Sequence, residues 1–125
     1  IVVGSGNKSE LLTGYFTKYG DGGVDILPLG DLYKTQVRQL ALYVGVPEDI
    51  VWKTPSAGLW VGQTDEGELG VTYDVLDLIL YGFEHGMGAE EIAEELQLPV
   101  GKVLDVLERV RRSRHKREPP VIFKV

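Results

Sequence analysis

Several short stretches of this sequence carry residue types that do chemistry. Gly4-Ser5-Gly6-Asn7 follows the apolar run Ile1-Val2-Val3 and opens a helix, so its amides and the Ser5 hydroxyl could cradle a phosphate where peptide dipoles favour negative charge. A plain turn with a helix cap accounts for the same residues, because the spacing is not GxGxxG and no Walker lysine follows. Glu10 falls in the first turn of that helix. There it either complements the dipole or offers a hard oxygen to a divalent metal. Lys18, Asp21 and Asp25 surround a Gly-Asp-Gly-Gly turn, which sets a cation and two carboxylates near one strand mouth; an Asx turn is the simpler use of the same aspartate. Lys34 lies in the first turn of the next helix, an unfavourable place for a cation unless an anion shares the site.

The elements that must position these residues follow from periodicity. A short helix runs within 5–19, capped by Ser5 or Asn7. Val24 to Leu29 reads as a second strand, and a helix from Leu32 to about Tyr43 has Asp31 as its N-cap and Gly45 as its stop. Its apolar stripe is Val37, Leu40, Ala41 and Val44. Pro47 and Glu48 open a brief helix ending near Trp52. From Thr54 to Gly70 neither helical nor strand period is visible, and a loop of that length is usually functional or disordered. Thr72 caps a helix over Tyr73 to Phe83 with Val75, Leu76, Ile79 and Leu80 inward. Two further helices, Ala89 to Leu96 and Pro99 to about Ser113, precede an extended end. Strand, turn, helix, strand and helix in that order predict an α/β layer with a helical appendage, ligands lying at the carboxyl ends of the strands.

Composition bounds the function. One domain is all that 125 residues allow, and 43% hydrophobic with 26% charged residues is a globular balance. No apolar run approaches a membrane span, and zero cysteines exclude a disulfide scaffold or thiolate zinc site. The net charge of −6 argues against nucleic-acid binding through overall charge. Yet the charge is polarised: Arg109, Arg111, Arg112, Arg114, Lys116 and Arg117 crowd the end of an otherwise acidic chain. They form either a local anion site or a solvated helix end that complements the dipole. The start of the chain, a β-type run with no Met or signal-peptide pattern, predicts a strand taken from the middle of a larger protein.

Residues 89–109 also have the outline of a helix-turn-helix. Its second helix would present Val100, Gly101, Lys102 and Asp105 to bases, and its first helix carries four glutamates, a set poorly suited to DNA. The element therefore reads mainly as packing. A helix-turn-helix binding module and a non-catalytic dimerisation remnant remain the alternatives to an enzyme.

Taken together, residues 4–10, 14–25, Pro55-Ser56-Ala57-Gly58-Leu59-Trp60, residues 62–70 and His115-Lys116-Arg117 closely resemble the ammonia-dependent NAD synthetases, in order and over nearly the whole chain. The resemblance implies a parallel-sheet adenine nucleotide α-hydrolase (N-type ATP pyrophosphatase) fold and a cytoplasmic homodimer that uses Mg²⁺. It implies ATP as co-substrate: ATP adenylates the nicotinate carboxylate of deamido-NAD, pyrophosphate leaves, and ammonia gives NAD and AMP. No nucleic acid, membrane or glutaminase enters this scheme.

Residue by residue, the resemblance implies ATP contacts at Ser5, Lys34 and Ser56 and a magnesium ligand at Glu10. It implies deamido-NAD contacts at Lys18, Asp25, His115 and Lys116, with Asp21 beside the ammonia as proton acceptor. The chain divides into an α/β part at 1–53, a mobile substrate loop at 54–70, and a helical part with basic tail at 71–125. Ser5 stands where the family usually has Thr, which keeps the hydroxyl. The family's Ser-Gly-Gly-x-Asp-Ser pyrophosphate loop has no match here, so the resemblance implies the C-terminal part of a single longer domain, inactive without the rest.

Overall fold

A computed structural model of the protein describes residues 1–124; Val125, the last residue of the expected C-terminal part, lies outside them. The helices are α1 (Lys8–Thr13), α2 (Lys34–Tyr43), α3 (Glu48–Val51), α4 (Asp65–Leu69), α5 (Tyr73–Glu84), α6 (Ala89–Glu95) and α7 (Val100–Arg112), with a 3₁₀ turn at Arg114–Lys116. The core forms around α5, whose Tyr73, Leu76, Ile79 and Leu80 recur at helical spacing. They meet Ile92 and Ala93 of α6 and Val103, Val106 and Val110 of α7. Val75, expected inward, is only partly buried against this cluster.

The expected sheet is the main correction. Among the described residues the two predicted strands make a single parallel bridge, Val3 to Ile26, supported by the Gly4 amide on the Ile26 carbonyl at 2.9 Å. The direction is that of the expected layer, but two extended segments alone cannot bury a β surface, and Val2, Val3 and Ile26 are exposed.

Two helices also depart from expectation. In α2 the N-cap is Tyr33 rather than Asp31, which instead pairs with Lys8 at 2.7 Å. The α2 stripe is not a core face: Leu40 and Val44 are exposed, Val37 and Ala41 half-buried. Apolar spacing marks a face that wants cover without naming the cover. Between residues 54 and 70, where no period was visible, α4 forms because the Thr64 hydroxyl accepts the Gly67 amide at 3.1 Å and Gly70 ends it at φ 75°. Five residues are too few for a periodic signal.

The α6–α7 pair has the helix-turn-helix outline and serves as packing, burying Ile92, Ala93, Val103 and Val106 while Glu90, Glu91, Glu94 and Glu95 face solvent. Four exposed carboxylates on the first helix repel a phosphate backbone.

Candidate functional site

The expected residues fall into three neighbourhoods. The first lies where the starts of α1 and α2 meet α5. Asn7 caps α1 by accepting the Glu10 amide at 3.0 Å, and the Glu10 carboxylate accepts the Asn7 amide at 3.0 Å, so the capping box fixes Glu10. Burial raises the affinity of Glu10 for its proton; the Asn7 amide and the Lys34 charge oppose this, and Asp65 adds to it. Lys34 sits at the head of α2 with its ammonium 5.7 Å from the centre of the Tyr73 ring. The Lys34 amide donates to the hydroxyl oxygen of Ser9, the residue before Glu10, at 2.9 Å, so the two helix starts adjoin although 24 residues separate Glu10 from Lys34 in sequence.

The second neighbourhood is a cleft of about 520 Å³ that includes Tyr15, Asp21, Trp60, Gln63, Glu68 and Lys116 in its lining. Asp21 closes its turn by accepting the amide of Thr17, four residues before it, at 2.8 Å, rather than through the Asx turn expected from the sequence, in which it would accept an amide two residues further on. Lys116 reaches the same wall, donating to the carbonyls of Gly14 at 2.7 Å and Phe16 at 2.6 Å. Its charge thus holds the 14–16 turn as well as facing the cleft. The floor is a polar network absent from the sequence expectation. The Tyr15 hydroxyl donates to Glu68 at 2.6 Å and the Gln63 amide donates to the same carboxylate at 3.2 Å; buried behind the lining, the Tyr73 hydroxyl donates to Asp65 at 3.1 Å. Burial, reinforced by these acids, pushes both tyrosine hydroxyls well above their ordinary range, so they stay protonated donors.

The third neighbourhood joins the 17–23 turn to the basic tail. The Lys18 ammonium donates to the carbonyls of His115 and Glu118, the latter at 2.9 Å. The His115 ring contacts the Arg112 carbonyl through Nδ1 at 3.0 Å. Asp25 lies apart, accepting the Val2 amide at 2.6 Å beside the parallel bridge. Ser5 is exposed on the turn after that bridge. Ser56 is also exposed, its hydroxyl accepting the Gly58 amide at 3.0 Å. Of the nine expected residues, Glu10 with Lys34, Asp21 with Lys116, and Lys18 with His115 are gathered; Ser5, Asp25 and Ser56 remain separate.

Ser9, Asp65 and Glu68 enter the sequence reading only inside the motif stretches 4–10 and 62–70, without a role of their own, and Asp77 does not enter it. Asp77 had a signal, since it is an acid between Leu76 and Ile79 on the buried face of α5. Ser9 had none, because a serine inside a first turn is ordinary.

Residues 1–120 match the family model described as NAD synthase. The NH(3)-dependent NAD(+) synthetase of Sulfolobus acidocaldarius is 59% identical over 126 aligned residues, which cover 100% of this chain and 45% of that protein. Among solved structures, an NMN synthetase from Francisella tularensis superposes with TM-score 0.79 at 41% identity, covering 98% of this chain and 46% of that one. An NH3-dependent NAD synthetase from Campylobacter jejuni, in complex with nitrate, gives TM-score 0.71 at 26% identity over 98% of this chain and 44% of its own. The chain spans about half the length of the curated relatives it matches.

Proposed function

The chain belongs to the NAD synthase family, and from that premise we propose that it supplies one half of an active site that amidates deamido-NAD with ammonia at the expense of ATP. The observation that carries this reading is the bond from the Lys34 amide to the Ser9 hydroxyl oxygen at 2.9 Å, which sets the start of α2 against the first turn of α1, where Glu10 is the next residue. A carboxylate and an ammonium there suit a metal-bound polyphosphate, the carboxylate as a hard oxygen for the metal and the ammonium as a point charge for the phosphate.

In this reading Lys34 meets the phosphates of ATP, and Ser5 and Ser56, which stand apart in this chain, contact other parts of the nucleotide. Among the described residues no three His, Cys, Asp or Glu converge into a cage. A single hard carboxylate at Glu10 fits Mg²⁺, which keeps waters and takes its remaining ligands from substrate phosphates. Magnesium, when bound, would neutralise phosphate charge. The nicotinate carboxylate oxygen attacks the α-phosphorus, and the bond from that phosphorus to pyrophosphate breaks. Ammonia then attacks the acyl carbon, the bond to AMP breaks, and Asp21 accepts the proton the nitrogen sheds. Lys18, Asp25, His115 and Lys116 hold deamido-NAD. Residues 54–70 act as the loop that orders over the substrates, keeping water from the acyl adenylate. The enzyme works as a homodimer in the cytoplasm. No helix among the described residues is long and apolar enough to cross a membrane.

A second reading has one observation behind it: the Francisella neighbour, 41% identical, is an NMN synthetase. The same amidation on nicotinate mononucleotide uses the same ATP site and a smaller acceptor. One experiment tests both. The chain, joined to the remaining length its relatives possess, is given ATP, Mg²⁺ and ammonia with either acid. Equimolar AMP, pyrophosphate and amide are expected, with kcat/KM higher for deamido-NAD. A higher value for the mononucleotide establishes the second reading, and release of ADP, or AMP independent of either acid, overturns both.

A further inference from the structure

Asp77 is 4% exposed in the middle of α5, on the face that carries Tyr73 and Leu80 into the core. An ionised carboxylate in such a place is costly unless every lone pair that matters is used. One Asp77 oxygen accepts the Ser9 hydroxyl at 2.5 Å; the other accepts the Thr35 amide at 2.8 Å. The Ser9 oxygen in turn accepts the Lys34 amide at 2.9 Å. The first two amides of α2 are therefore capped from α1 and α5, while Tyr33 contributes no side-chain cap of its own.

A local Ser or Asp at position 33 would cap α2 without a buried charge. What the long-range cap adds is placement. Ser9 neighbours Glu10 on α1, and Lys34 is the residue whose amide Ser9 holds. We propose that Asp77 is a positioning residue that, through Ser9 and the Thr35 amide, sets the separation of Glu10 and Lys34 at which Mg²⁺-ATP binds. This rests on the nucleotide reading above, and Asp77 itself touches no substrate.

The test uses the chain joined to its remaining length. Asp77→Asn keeps the shape but cannot accept from both donors. The expected results are about tenfold weaker Mg²⁺-ATP binding by calorimetry, an equal rise in KM for ATP, KM for deamido-NAD nearly unchanged, and faster exchange of the Lys34 and Thr35 amides. Ser9→Ala shifts the same readings in the same direction, and decides the matter if Asp77→Asn does not fold. Ile79→Val, which weakens the same helix in the core, lowers Tm and leaves ATP affinity unchanged. Loss of Tm in Asp77→Asn and Ser9→Ala with ATP affinity unaltered overturns the inference. A protein that binds Mg²⁺-ATP with this dependence on Asp77 but makes no amide sustains the inference and overturns the assigned reaction; one that binds no Mg²⁺-ATP overturns both.

Discussion

The ammonium of Lys18 donates to the carbonyl of His115, 97 residues further along the chain. The glycine-rich 17–23 turn and the basic tail are thereby tied together. Replacing Lys18 with Met removes this tie and the one to Glu118. A loss of about 1 kcal/mol is expected. Trypsin should then cut faster after Arg114, Lys116 and Arg117, as mass spectrometry of timed digests would show; unchanged cutting would mean the tail is held by other contacts.

Arg117 closes two helices at once. Its guanidinium donates to the carbonyls of Leu11 at 3.0 Å and Leu12 at 2.6 Å, to Ser113 Oγ at 2.8 Å and to the Val110 carbonyl at 2.7 Å. Those carbonyls belong to the last turns of α1 and α7, where acceptors lack helical partners. Arg117→Lys keeps the charge without the planar fork and should cost about 2 kcal/mol, Arg117→Ala about 3 kcal/mol. Urea midpoints measure both.

Gly14 ends α1 at φ 68°, and a Cβ there would stand 2.2 Å from the Ser113 Cβ. Gly14→Ala meets both backbone strain and a clash between α1 and α7, so roughly 3 kcal/mol or more is expected. Gly86 has φ 80° with nothing within 4 Å of the added atom. Gly86→Ala should cost only about 1 kcal/mol. Equal losses in thermal unfolding would place α1 away from Ser113.

Glu10 gives a pH signature. Its carboxyl holds its proton more tightly in the folded chain, chiefly because it is buried. The stability it contributes is thus complete below its unfolded pKa and is lost as pH rises through the raised folded value. Glu10→Gln still accepts the Asn7 amide but does not titrate. The Tm of the variant relative to the parent should therefore improve on going from about pH 4 to about pH 7. A difference independent of pH would show that burial leaves Glu10 unperturbed.

The helices were legible in this sequence where they bury a face: α5 and α7 show their periods because their apolar residues pack inside the chain. The α2 stripe is equally periodic, yet Leu40 and Val44 lie exposed, since spacing says nothing of where the partner surface resides. The strands were legible as composition but form only the Val3–Ile26 bridge, because a ladder depends on neighbours. Gly-rich turns and isolated charges singled out Glu10, Lys34 and Asp21 as candidates. The buried acids Asp77 and Asp65 needed coordinates, since their meaning lies in contacts to Ser9, Thr35 and Tyr73 from distant parts of the chain.

If the nicotinate carboxylate is activated by adenylation at a site built from Glu10 and Lys34, one of its oxygens must leave with AMP. Isotope transfer reads this out: deamido-NAD labelled with ¹⁸O in that carboxylate is supplied with ATP and ammonia to the chain joined to the remaining length its relatives possess. One labelled oxygen should appear in the phosphate of AMP, and Glu10→Gln and Lys34→Ala should each suppress its appearance. Label absent from AMP, or recovered in inorganic phosphate, would rule out adenylation of the nicotinate carboxylate.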